Sequence, residues 1–184
     1  ALFVLLDEYA ATDDPSVPWV NLRWLRGVLA RSHKRHVFVF GHAPAFPSTD
    51  GEVPDIQKAL PTPNGELDNV EAQRMRDNFW HLLGLAGAEI YACAHEHLYA
   101  RGVGLAFPTP PVSQIIVGTG GAPLDPIPEL LYIDNYWIWC EEEDCISIPK
   151  PIPRVIPISH DIGSGRFGYL LVEVEKKITV FKYK

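Results

Sequence analysis

The strongest constraint on the fold comes from short, continuous apolar runs that alternate with a helical pattern. Residues 2–6 (LFVLL) and 36–41 (HVFVFG) have the length of strands that are covered on both faces. Between them, apolar residues at helical spacing predict a helix from about 17 to 32, with Ser16 as its cap. This strand, helix, strand order predicts a parallel α/β unit, in which functional side chains collect beyond the carboxyl ends of the strands.

The same pattern continues through the middle of the chain. Residues 43–66 are rich in Pro, Gly, Ser, Thr and Asp, which predicts a long surface loop. Asp68 and Glu71 have the spacing of a capping box, and the helical stripe that follows them ends near Gly84. The apolar run at 88–94 then predicts a third buried strand.

The second half of the chain adds a strand and a closing hairpin. The segment 113–118 (SQIIVG) predicts a strand before a tight Gly/Pro loop, and residues 167–184 predict a hairpin that turns near 175–177. Residues 125–160 are rich in Pro and Trp and show little periodicity. Because no repeat or linker separates a second unit, we expect residues 1–184 to belong to one domain.

Composition narrows the classes of partner. The chain has 16 basic and 23 acidic residues, and its net charge of −7 argues against nucleic acid held by bulk electrostatics. The same charge would repel an anionic substrate unless a metal ion reversed the local field. The sequence contains no run of about 18 apolar residues, which a membrane-spanning helix would need. Cys140 and Cys145 are close enough in sequence to pair in an oxidising compartment, and the sequence leaves their pairing open.

Three of the seven histidines directly follow predicted strands. They are His42 in FGHAP, and His95 and His97 in AHEH. A histidine at a strand end is most often only hydrogen-bonded, but two at i and i+2 of an extended segment present two imidazoles to one cavity. Imidazole binds Zn, Fe, Mn, Co and Ni, so the three residues are candidate ligands for a metal whose identity the sequence does not give.

The motifs FGHAP, AHEHLYAR and IIVGTGGAPL, in this order and spacing, resemble the C-terminal half of a calcineurin-like metallophosphoesterase, the superfamily that includes the purple acid phosphatases. The resemblance covers nearly the whole chain, with Ala94 in the place of the family's usual glycine. It implies a four-layer αββα sandwich of two mixed β-sheets flanked by helices. Residues 1–184 would form the C-terminal portion of that domain, and its N-terminal half would be missing.

The resemblance also implies a dinuclear site. His42 and His95 would bind one ion and His97 the other, the ions being divalent or mixed-valence Zn, Fe or Mn. Tyr99 and Arg101 would support the ligands or contact the substrate. Such a centre generates a hydroxide from bound water and hydrolyses phosphomonoesters or phosphodiesters. By the same resemblance we expect a secreted or periplasmic protein.

The chain departs from the family in its carboxylates. The motifs D-x-H, G-D-x-x-D and G-N-H-D/E do not occur, and Asp7 at the end of the first strand corresponds to none of them. We therefore expect the catalytic residues in a missing N-terminal segment, no activity from this chain alone, and pairing with that segment over the uncovered strand edges. Two alternatives stay open: a non-catalytic calcineurin-like binding module with an incomplete metal site, and an α/β domain whose histidines merely satisfy strand ends.

Overall fold

The described part of the chain forms an α/β structure with a mixed, mostly parallel five-stranded sheet, a small antiparallel hairpin and two helices. The computed structural model describes residues 1–8, 20–46, 70–104, 111–124, 167–176 and 179–184. The predicted caps Ser16 and Asp68 and the cysteines Cys140 and Cys145 lie outside these residues. Neither helix in the described part is long and apolar enough to cross a membrane.

The strand order confirms the parallel unit that the sequence predicts. The large sheet contains β1 (Leu2–Leu5), β2 (Val37–Phe40), β3 (Ile90–Cys93), β4 (Tyr99–Gly104) and β5 (Val112–Val117), and the hairpin contains β6 (Leu170–Val174) and β7 (Thr179–Tyr183). The helices are α1 (Leu22–Ala30) and α2 (Val70–Leu85). The sheet order is β1-β2-β3-β5-β4, and only β4 runs antiparallel to its neighbour.

Side chains of the sheet alternate between two cores. On β2, Val37 and Val39 join the core under the helices, whereas Phe38 belongs to the core under the hairpin. The helix-side core includes Val4, Leu25, Leu29, Phe79, Trp80 and Leu83. The hairpin-side core contains Phe38, Ile90, Ala92 and Ile115, against which Leu170, Val172 and Phe181 pack. Burial on both faces explains why β2 and β3 are continuous apolar runs. The same prediction is wrong for β1, where only Val4 is buried and the opposite face is exposed.

The first helix is shorter than its sequence pattern predicts. It begins at Leu22 rather than near residue 17, because the side chain of Asn21 caps it by accepting a hydrogen bond from the Trp24 N–H at 2.9 Å. It ends at Ala30, just before the polar turn that leads into β2. The predicted helix range of 17 to 32 is therefore wider than α1.

The segment that follows β2 is not a surface loop from its first residue. Residues 43–46 are buried, and Gln114 on β5 binds the backbone of the last two of them. Its Oε1 accepts hydrogen bonds from the N–H groups of Ala45 and Phe46 at 2.9 and 3.0 Å, and its Nε2 donates to the Phe46 carbonyl at 2.6 Å. The surface loop predicted over 43–66 is wrong for these four residues, and residues 47–66 lie outside the described ranges.

The hairpin covers only part of its face of the sheet. Phe3 and Leu5, on the same face of β1, are 60% and 73% exposed, although the Phe3 ring stacks on Phe38 with centroids 5.3 Å apart. The hairpin is held over β4 and β5, where Tyr183 stacks on Tyr99 at 4.0 Å. Among the described residues, Phe3 and Leu5 therefore form an exposed apolar patch beside the hairpin.

Candidate functional site

His42 and His95 meet beyond the carboxyl ends of β2 and β3. The pairing of these strands continues past their ends, since the Gly41 N–H donates to the Ala92 carbonyl at 3.0 Å and the Ala94 N–H donates to the His42 carbonyl at 2.9 Å. The two imidazoles consequently lie side by side at this edge of the sheet. His42 Nε2 lies 3.1 Å from His95 Nδ1, and the rings are nearly perpendicular at 80°.

The segment from 94 to 98 bends sharply at each histidine. The Glu96 N–H donates to the Ala94 carbonyl at 2.7 Å, and the Leu98 N–H donates to the Glu96 carbonyl at 2.8 Å. These i to i+2 bonds make two successive γ-turns, with His95 and His97 at their centres. His95 has a φ of +64°, which side chains other than glycine rarely adopt. The expected extended segment, with both side chains on one side of a strand, is wrong.

The electrostatics of the site favour a neutral imidazole at His42. Partial burial lowers the pKa of His42, and the positive charge of a protonated His97 lowers it further. His97 is therefore within electrostatic range of His42. In a neutral pair, one ring N–H of His42 or His95 donates to the other ring's lone pair. Neutral imidazole is also the form that binds metals.

The geometry of the histidine pair fits two ligands of one metal ion. With metal–nitrogen distances of about 2.0–2.1 Å, two imidazole nitrogens on one ion lie roughly 3.0–3.4 Å apart. The observed separation of His42 Nε2 and His95 Nδ1 is 3.1 Å. Within the described ranges, no group of three or more His, Cys, Asp or Glu side chains is arranged to hold a metal ion. The fit is that of a ligand pair and not of a full coordination set.

Tyr99 and Arg101 lie on β4 and contact the hairpin. Tyr99 stacks on Tyr183, and the guanidinium carbon of Arg101 lies 5.8 Å from the centre of the Phe181 ring. The hydroxyl of Tyr183 in turn donates to Thr119 Oγ1 at 2.8 Å. In the part of the chain that the structure describes, these contacts hold the hairpin on the sheet beside residues 94–98, which we call the histidine turn.

Glu8 is a member of the site that sequence reasoning missed. Its Oε1 accepts a hydrogen bond from the His42 N–H at 2.6 Å, and its Oε2 accepts one from the Ala43 N–H at 2.8 Å. Burial raises the pKa of this carboxyl, against the opposing hydrogen bonds from Ala43, His42 and Tyr91. The sequence carried a signal for Glu8, because it follows β1, which is parallel to β2 and ends at the same edge of the sheet. Only its neighbour Asp7 was considered at this position from the sequence.

Two glycines allow the chain to pass close to these residues. A Cβ on Gly41 would lie 2.0 Å from Glu8 Oε1, and a Cβ on Gly118 would lie 1.8 Å from the carbonyl oxygen of Glu96. Both distances are far below van der Waals contact. Gly41 of FGHAP and Gly118 of IIVGTGG are therefore required by close packing, Gly41 beneath His42 and Gly118 against residues 96 and 97.

Comparison with known proteins assigns no family to the chain. No protein-family model matches it, and no curated protein matches it in sequence.

Proposed function

We propose that the chain is the C-terminal portion of a calcineurin-like metallophosphoesterase related to the purple acid phosphatases, which hydrolyses phosphomonoesters or phosphodiesters with metal ions. The observation that carries the proposal is the 3.1 Å approach of His42 Nε2 to His95 Nδ1 beyond two adjacent parallel strands. That edge of an α/β sheet is where ligands bind. His97, at the next γ-turn, is proposed to serve a second ion.

The layers of the structure are consistent with half of an αββα sandwich. Helices lie on one face of the five-stranded sheet and the hairpin lies on the other, so the hairpin is proposed to belong to a second mixed sheet. The exposure of Phe3 and Leu5 supports this extension, because further strands beside the hairpin would cover them. The carboxylate ligands of a dinuclear site would come from the segment that supplies those strands.

The chain's own residues hold and orient the proposed ligands. Partial burial lowers the pKa of His42 and so favours its neutral imidazole, and the second imidazole leaves the chain at the γ-turn of His95. Tyr99 and Arg101 are proposed to support the ligands from β4 or to contact the phosphate. Metal ions, when bound, supply a hydroxide at neutral pH and a local positive charge that offsets the net charge of −7.

Zn²⁺ binding to the purified chain tests the proposal directly. We expect His42→Ala and His95→Ala to abolish Zn²⁺ retention in equilibrium dialysis, and His97→Ala to reduce it, because each removes one imidazole ligand. His33→Ala is the matched control, since His33 is exposed on the turn before β2. Metal content that is unchanged in all three variants contradicts the proposal.

Hydrolysis of an aryl phosphomonoester and an aryl phosphodiester separates the enzyme from the alternative binding module. We expect no turnover by this chain alone, because carboxylate ligands are missing from the histidine set. Turnover should appear when the chain is joined to a segment that carries them. Metal binding by that joined protein without turnover of either ester would favour the non-catalytic calcineurin-like module.

A further inference from the structure

We propose that Glu8 is a positioning residue that fixes the location of His42 at the candidate site. Both oxygens of its carboxylate bind consecutive backbone amides, those of His42 at 2.6 Å and Ala43 at 2.8 Å. Two hydrogen bonds to adjacent peptide groups fix the direction of the chain at the point where the imidazole leaves it. The inference rests on the proposed function only where it concerns metal binding.

Tyr91 completes the support of this segment. Its hydroxyl donates to the Ala43 carbonyl at 2.6 Å and lies 3.1 Å from Glu8 Oε1. Glu8 is 2% exposed and Tyr91 is fully buried, so both side chains are shielded from bulk solvent. Together the two side chains bind the N–H groups of His42 and Ala43 and the carbonyl of Ala43, and we call them the Glu8–Tyr91 clamp.

The chemistry of the clamp requires a carboxylate of this length. Each oxygen of Glu8 accepts from an N–H group, so a glutamine would place its NH₂ against one of these donors. An aspartate is one methylene shorter and reaches the two amides less well. Gly41 is part of the same arrangement, because any Cβ there would meet Glu8 and Tyr91.

A buried carboxylate is costly unless its hydrogen bonds are made, and here they are made to the segment that carries His42. Val4, on the strand that precedes Glu8, is instead an apolar side chain that packs in the core under the helices. Glu8 lies three residues beyond the end of β1, and its hydrogen bonds go to residues 42 and 43.

Glu8→Gln tests this role, with Val4→Ala as a control that removes packing from the strand that precedes Glu8. Two quantities are measured on the full chain: the nuclear Overhauser contact between the His42 and His95 rings without metal, and Zn²⁺ affinity by calorimetry. We expect Glu8→Gln to lose the ring contact and to bind Zn²⁺ about 10–100-fold more weakly. Val4→Ala should keep both at the wild-type level. A ring contact and a Zn²⁺ affinity that Glu8→Gln leaves unchanged would overturn the proposal.

Two further variants keep the test decisive if Glu8→Gln does not fold. Glu8→Asp and Tyr91→Phe each weaken the clamp in part, so both should reduce the ring contact, and wild-type spectra from both would reject the role. If the wild-type chain binds no Zn²⁺, the metal proposal fails by itself. The ring contact then decides the role of Glu8 alone.

Discussion

Replacing Gly118 with alanine tests how closely β5 approaches the histidine turn. The added Cβ would lie 1.8 Å from the carbonyl oxygen of Glu96, 2.7 Å from its carbonyl carbon and 3.0 Å from the Cα of His97. All three neighbours are backbone atoms, so no side chain can rotate away. The two segments must separate by about 1.2 Å before the nearest contact reaches 3.0 Å.

The expected loss of stability follows from three contributions. Overpacking of this kind costs about 1–3 kcal/mol. The hydrogen bond from the Gly118 N–H to the Leu98 carbonyl, 3.0 Å long, is strained or lost at a further cost of about 1 kcal/mol. The alanine also lowers the conformational entropy of the unfolded chain, which stabilises the folded state by about 0.4–1 kcal/mol. We therefore expect Gly118→Ala to lower the free energy of unfolding by about 1–4 kcal/mol.

Gly120→Ala is the matched control, two residues away in the same loop. A Cβ at Gly120 meets nothing within 4 Å, and its backbone does not lie in the left-handed region. Its stability should be unchanged or higher by up to about 1 kcal/mol. Urea denaturation followed by tryptophan fluorescence measures both variants, and Zn²⁺ calorimetry should show a weaker site only for Gly118→Ala. Equal unfolding midpoints for the two variants would refute the close packing of the histidine turn.

Two shorter predictions concern backbone strain and pH. His95→Gly should be more stable than His95→Ala by about 1 kcal/mol in urea denaturation, because glycine adopts the φ of +64° without strain; an alanine variant of equal or greater stability would contradict the positive φ. The hydrogen bond and charge of Lys182 lower the pKa of Glu173, so the stability from this pair is present above the ordinary carboxyl pKa and is lost as pH falls through the lowered value. Lys182→Met should raise the NMR titration midpoint of the Glu173 carboxyl, and an unchanged midpoint would rule out the pairing.

The sequence predicted the elements whose pattern is local and missed those that depend on distant partners. Continuous apolar runs predicted β1, β2, β3 and β5, and the parallel order placed His42 beside His95, since parallel strands end at one edge. β4 was missed because Tyr99–Gly104 contains two glycines and little alternation, and its pairing with β5 makes it a strand. The backbone of residues 45 and 46 binds Gln114, which lies 68 residues further along the chain from Phe46.

The histidine edge of the sheet combines several features that a fold adopts only at a cost. A carboxylate is buried at Glu8, a residue other than glycine has a positive φ at His95, and an added Cβ at Gly118 would collide with backbone. Burial of the Glu8 carboxylate and the positive φ of His95 each cost free energy, and a glycine at 118 loses more conformational entropy on folding than another residue would. The strands of an α/β sheet pair without any of these features. All three lie near the edge of the sheet where the ring nitrogens of His42 and His95 are 3.1 Å apart. Costly features that converge on one contact between two imidazoles are expected of the proposed site and not of histidines that merely end their strands.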